Sequence, residues 1–248
     1  MTYSIARAFD DWVEFDRLWA STAQRFGDES FYMSAVREYG RPAVELGIGY
    51  GRMAAHTRPD IGIDVSADSL ACCPATVKAS VHLLHEDFRS YRLEDPAALS
   101  YAPLGSFNHI IDSDTRVQCF ANVRANTRPG GFLLFDSYVV SEQQMRAINQ
   151  VVVNLAHNAQ VSLHKTEKIL DFEQWISENH GYADFLKDDG TVHQRKYYQG
   201  PRRIYIPPHQ FAIELGRAGW HVENLWGGFE RKPLRESSTK QVWLAANR

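Results

Sequence analysis

Val44-Glu45-Leu46-Gly47-Ile48-Gly49-Tyr50-Gly51-Arg52 is the stretch that decides the fold. The run Ala43–Leu46 reads as a short strand that enters a turn with glycine at every second position. Such a turn lets the backbone approach a ligand closely, and the helix it opens aims N–H groups at that ligand. Nineteen positions after Glu45, Asp64 ends a second strand, Ile61–Asp64. A carboxylate there can accept both hydroxyls of a ribose. A dinucleotide fingerprint wants a third glycine where Arg52 stands, and a phosphate-cradling loop wants Gly-Lys-Ser/Thr, which is missing here. Glu45 would repel a pyrophosphate and suits a ligand carrying a cationic amino-acid group.

Outward from the turn, strands and helices alternate. Ser66 or Asp68 can cap the next helix, and Pro74 should interrupt it. Val81–His85 reads as a third strand and Phe107–Asp112 as a fourth. Arg116–Thr127 reads as a helix, and Phe132–Asp136 is a fifth strand after the turn Arg128-Pro129-Gly130-Gly131. This alternation implies a parallel sheet with helices on both faces. Upstream, Phe9, Trp12, Val13, Phe15, Leu18 and Trp19 recur at helical spacing. Asp28 is placed to cap a second helix carrying Phe31, Tyr32, Ala35 and Val36, which Gly40 ends.

The rhythm changes after residue 160. Val161–Leu170, Phe172–Glu178, Tyr182–Leu186, Val192–Tyr198 and Arg203–Ile206 read as antiparallel strands, with Asp188-Asp189-Gly190 as a hairpin turn. Gln210–Ala218 is a helix after Pro207-Pro208, and Trp220–Trp226 and Gln241–Ala245 are closing strands. The expected organisation is a helical cap over 1–40, a ligand-binding domain over 41–160 and 207–248, and an antiparallel insertion over 161–206.

The chain has 248 residues, 44% hydrophobic and 23% charged, with 27 basic and 30 acidic residues and a net charge of -3. That balance argues against nucleic acid as a partner. No run reaches the roughly 18 apolar residues of a membrane span. Arg7 and Asp10 break the N-terminal apolar run, so a signal peptide is not expected. Three cysteines, two of them adjacent, suit a reducing cytoplasm.

The stretch Val44–Arg52 resembles the first motif of class I S-adenosylmethionine-dependent methyltransferases of small-molecule type. Ile61–Ser66 resembles their second motif, Glu86-Asp87-Phe88 their adenine-contacting pair, and Arg128–Leu134 their turn and fifth strand. The resemblance covers roughly residues 40–248. It implies an α/β, Rossmann-like fold with a seven-stranded, mostly parallel sheet, on which the antiparallel insertion forms a lid. It also implies S-adenosylmethionine as cofactor and S-adenosylhomocysteine as product. By position, Gly47, Gly49 and Gly51 would face the methionine part and Glu45 would orient it. Asp64 would hold the ribose, Val65 would pack on the adenine, Asp87 would accept its amino group, and Phe88 would cover the ring. Ser113 would sit beside the sulfonium, and Tyr3 could fold over the cofactor.

Tyr138, after the fifth strand, and His180, in the insertion, are the candidate catalytic residues facing the acceptor. The resemblance implies methyl transfer to an N or O atom of a small molecule, in secondary metabolism, by a monomer or homodimer. Two other readings stand beside it: an NAD-dependent oxidoreductase and a non-catalytic S-adenosylmethionine-binding protein. Asp112, Asp114 and Asp136 occupy places where metal-dependent relatives carry ligands, but read as caps or strand-end residues. No metal is expected.

Overall fold

Seven strands build the sheet that carries the glycine turn. A computed structural model describes residues 3–21 and 27–248. In chain order the strands are β1 (Ala43–Leu46), β2 (Ile61–Asp64), β3 (His82–His85), β4 (Ala97–Ala102), β5 (Thr127–Tyr138) and β6 (Val153–His157). They continue as β7 (Val161–Asp171), β8 (Ile176–Leu186), β9 (Val192–Ile204), β10 (His221–Trp226) and β11 (Lys240–Ala246). The helices are α1 (Ile5–Ser21), α2 (Glu29–Tyr39), α3 (Ala54–Thr57), α4 (Ala67–Ala71), α5 (Ala75–Lys78), α6 (Ser113–Ala125), α7 (Glu142–Ile148) and α8 (Pro208–Arg217). Two units share them: Gly27–Val139 with Tyr205–Arg248, and Met1–Phe26 with Val140–Ile204.

The larger unit holds the sheet β10-β11-β5-β4-β1-β2-β3. β1 pairs in parallel with β2 on one side and β4 on the other, and β4 pairs in parallel with β5. β11 runs antiparallel to β5 and to β10. Every residue of β1 and β4 is buried, as expected of central strands covered on both faces. α2 packs Phe31, Tyr32, Ala35 and Val36 into a core with Leu99, Tyr101, Leu134, Val242 and Leu244. The strand order reverses between β1 and β4. Ligands of open α/β sheets bind outside the carboxyl ends of the strands at such a switch point.

The fourth strand is not where the sequence reading puts it. β4 is Ala97–Ala102, and Pro103–His109 is a 3-10 turn kinked at Leu104 (φ 54°) and Gly105 (φ 71°). Phe107 is apolar because it packs with Phe88, Phe120 and Phe135, not because it alternates in a strand. Elsewhere the punctuation works as expected. Ser66 caps α4 by accepting from the Ser69 N–H, Pro74 separates α4 from α5, and Gly40 ends α2.

The smaller unit is an antiparallel sheet, β6-β7-β8-β9, crossed by α1. Trp12 and Phe15 pack on Val161, Leu163, Ala183 and Tyr198. The helix comes so close that a Cβ at Gly181 would lie 2.7 Å from Phe15, and one at Gly200 2.6 Å from Trp12. This unit is larger than the expected insertion, since α7 and β6 also belong to it. The segments read as four separate strands between 172 and 206 are two long ones, β8 and β9. Bulges opposite Glu178/His180 break the alternation without ending the pairing. The first forty residues are divided: α1 belongs to the smaller unit and α2 to the larger. No helix among the described residues is long and apolar enough to cross a membrane.

Candidate cofactor site

At the end of β1 the chain makes a turn whose three glycines all take left-handed conformations: Gly47 at φ 73°, Gly49 at 56° and Gly51 at 83°. Non-glycine residues reach this region only with strain, which explains the alternation. The turn is tied to β2. The Gly47 and Ile48 N–H groups both donate to the Ile63 carbonyl, at 2.8 and 3.1 Å. Asp64 then clamps it: Oδ2 accepts from the Gly49 N–H at 2.7 Å and Oδ1 from the Ser66 N–H at 2.9 Å. One buried carboxylate therefore connects the two segments that sequence spacing pairs.

Phe88 and Ser106 both lie close to the turn. A Cβ at Gly47 would lie 2.7 Å from Ser106 Oγ and 3.5 Å from the Phe88 ring. Ser106 belongs to the kinked segment after β4, so the switch point is lined from both of its strands. Asp87 stands beside Phe88. Burial would raise its carboxyl, but bonds from the Arg89 side chain (3.0 and 2.8 Å) and backbone hold it below the usual range. Val65 is half-buried, and its carbonyl lies 3.0 Å from His85 Nε2.

Beneath the turn lies a buried polar layer. Glu45, on β1, is enclosed and accepts a hydrogen bond from the Tyr101 hydroxyl at 3.0 Å. Thr57 Oγ1 sits 2.7 Å from that hydroxyl. Burial pushes the Glu45 carboxyl up to about 8, against the lowering effect of Tyr101 and Arg52. Arg52 makes a two-pronged pair with Asp28, at 3.0 and 2.7 Å. Asp28 stands at the start of α2 but makes no side-chain cap there; Arg52 takes its carboxylate instead. Arg52 thus ties the end of the glycine turn to the start of α2, a job for which a packing glycine could not serve.

A second buried carboxylate organises the far side of the site. Asp136, on β5, accepts from the Tyr32 hydroxyl at 2.7 Å, the Leu104 N–H at 2.9 Å and Lys240 Nζ at 3.1 Å. It therefore ties down Leu104, one of the two left-handed residues of the kinked segment. Strained backbone held this firmly is typical of functional sites. The Tyr138 ring reaches the same segment: a Cβ at Gly105 would lie 3.1 Å from it.

The other sequence candidates have neighbours of their own. Ser113 opens α6 after the Asp112 cap instead of following a strand. Its hydroxyl donates to Glu214 at 2.6 Å, beside the buried Arg116–Glu214 pair. Tyr3 and His180 belong to the smaller unit. The Tyr3 hydroxyl accepts from the Arg202 N–H at 2.8 Å, and the Arg202 guanidinium lies over its ring. His180 Nε2 lies 3.1 Å from Glu178 without a well-aligned hydrogen bond. Asp114 pairs with Arg217. Among the described residues, no three His, Cys, Asp or Glu side chains gather as a metal site.

Leu104, Ser106 and Lys240 were missed. The signal for the first two was present: the apolar run Ala97–Ala102 followed by Pro103-Leu104-Gly105-Ser106 is a strand ending in a turn. Lys240 carries no sequence signal of its own.

No protein-family model matches the chain, and no curated protein matches it. Solved structures do. The CcbJ methyltransferase from Streptomyces caelestis superposes with a TM-score of 0.83 at 19% identity, over 98% of this chain and 99% of that one. An S-adenosylmethionine-dependent methyltransferase from Clostridium acetobutylicum gives 0.75 at 16% identity, over 95% and 98%. CalS10, an amino pentose methyltransferase from Micromonospora echinaspora, gives 0.72 at 14% identity, over 95% and 97%. At these identities the likeness is one of fold. With its strand order, its glycine turn and an antiparallel sheet in a second unit, the chain has the fold of the class I S-adenosylmethionine-dependent methyltransferases.

Proposed function

We propose that the protein transfers a methyl group from S-adenosylmethionine to an N or O atom of a small-molecule acceptor. The observation that carries this reading is the glycine turn clamped by Asp64 at the switch point of the sheet. The residues present fit the cofactor. The three left-handed glycines leave every second position of the turn without a side chain, and at Gly47 a single Cβ would already crowd Ser106. Gly47, Gly49 and Gly51 then face the methionine part. Asp64 holds the ribose; a carboxylate accepts about four hydrogen bonds, so it can serve both the turn and two hydroxyls. Val65, Asp87 and Phe88 take the adenine.

The bound sulfonium supplies an already activated methyl group. What remains for the chain is to align the acceptor, exclude water and accept a proton where one must leave. Tyr138 and the kinked segment Pro103–His109 are the groups that the larger unit offers on the acceptor side. Glu45 stays beneath the turn, enclosed and hydrogen-bonded by the Tyr101 hydroxyl. The small-molecule acceptor is supported by the net charge, and by the amino pentose named for one protein of the same fold.

Calorimetry with S-adenosylhomocysteine, and NAD as the control, tests the reading. Micromolar binding of the sulfur compound, with none of NAD, is expected. Binding of NAD in its place would overturn it.

A further inference from the structure

Lys240 opens β11, which runs antiparallel to β5, so its side chain stands at the carboxyl end of the parallel strands. It pairs there in register with Tyr138. Its side chain is 23% exposed, while its partner Asp136 is wholly buried. Asp136 is shared among three donors, and two of them, Tyr32 and Leu104, bond to the same oxygen. Lys240 has three N–H donors. Among the described residues it directs one hydrogen bond, to Asp136. Its ammonium lies 4.7 Å from the Tyr138 ring centroid and 5.2 Å from that of Phe229. Tyr205 stands edge-on to Tyr138 at 6.5 Å. The ammonium is held by a buried carboxylate, lies beside two aromatic rings and is partly exposed, so an anion can reach its remaining N–H groups. Burial lowers the amine, but Asp136 and the other charges nearby raise it above its ordinary value, so it stays charged at neutral pH.

We infer that Lys240 recognises an anionic group, a carboxylate or phosphate, carried on an aromatic or otherwise flat acceptor. The inference deepens the methyltransferase reading and rests on it. An ammonium and a planar anion meet through charge-assisted hydrogen bonds, while the rings of Tyr138 and Phe229 pack against the acceptor body. An uncharged acceptor would gain no such bond.

The probes are benzoate and phenyl phosphate, with benzamide as the uncharged control. Ligand-observed NMR would follow them on the full chain saturated with S-adenosylhomocysteine. Lys240→Met leaves Asp136 buried without its cation and risks the fold. The double variant Asp136→Asn/Lys240→Met removes the pair together, and thermal melting checks that it folds. Benzoate or phenyl phosphate is expected to bind the parent protein saturably and to lose about tenfold or more in the double variant. Benzamide should bind weakly and equally to both. Lys240→Arg should retain most of the anion binding. Anions bound no better than benzamide, or bound equally by the double variant, would overturn the inference. So would a loss of S-adenosylhomocysteine affinity in a folded Lys240→Met protein, which keeps Asp136; it would assign Lys240 to the cofactor's own carboxylate. Failure of S-adenosylhomocysteine to bind the parent protein would instead count against the methyltransferase reading.

Discussion

Glu45→Gln tests whether a protonated carboxyl lies beneath the glycine turn. The side chain is enclosed, accepts from Tyr101 and is pushed up to about 8 from an ordinary 4.5. A group whose folded value is raised holds its proton in the native state after the unfolded chain has lost it. Its stabilising contribution is complete below pH 4.5 and is lost as pH rises through about 8. Between pH 5 and pH 8 that loss amounts to about 3–4 kcal/mol. Glutamine keeps the shape and the acceptor for Tyr101 but has no proton to lose. Urea unfolding of both proteins at pH 5, 6, 7 and 8 is the assay. The variant should match the parent at pH 5 and exceed it increasingly toward pH 8, by a difference on the order of 3 kcal/mol. Other titrating groups cancel in that difference. A gap independent of pH would refute the reasoning, because it would mean that Glu45 is ionised throughout.

Gly47→Ala puts a Cβ 2.7 Å from Ser106 Oγ on a left-handed residue, and should weaken S-adenosylhomocysteine at least about tenfold by calorimetry. Arg52→Met strands the buried Asp28 carboxylate. It should cost about 3 kcal/mol or more in urea melts and loosen cofactor binding as well. Glu214→Ala leaves Arg116, 2% exposed, without its carboxylate. It should destabilise by about 3–5 kcal/mol while the folded fraction binds S-adenosylhomocysteine normally.

The glycine turn and Asp64 were legible because both depend on local rules. Alternating glycines answer to backbone conformation, and an acid at a strand end to a fixed distance from the turn. The helix stops at Gly40 and Pro74 were legible for the same reason. The fourth strand was misplaced because β4 is a wholly buried run without alternation. The segment 107–112, which begins in the 3-10 turn, offered Phe107, His109 and Ile111 at a spacing that imitates a strand. The expectation that Ser113 directly follows a strand came from that misplacement; it opens α6 instead. The long partnerships could not be read at all. Asp28 with Arg52 and Asp136 with Lys240 join residues 24 and 104 positions apart, and only the packed sheet brings them together. Asp28 looked like a cap because Asp often is one; the nearby guanidinium won the carboxylate.

Amide hydrogen exchange, with and without S-adenosylhomocysteine, tests the central claim most directly. The account predicts slowed exchange in four stretches of the larger unit: 45–53 around the glycine turn, 64–66, 86–90, and 103–109 after β4. Binding without protection of 45–53, or protection confined to other segments, would contradict it.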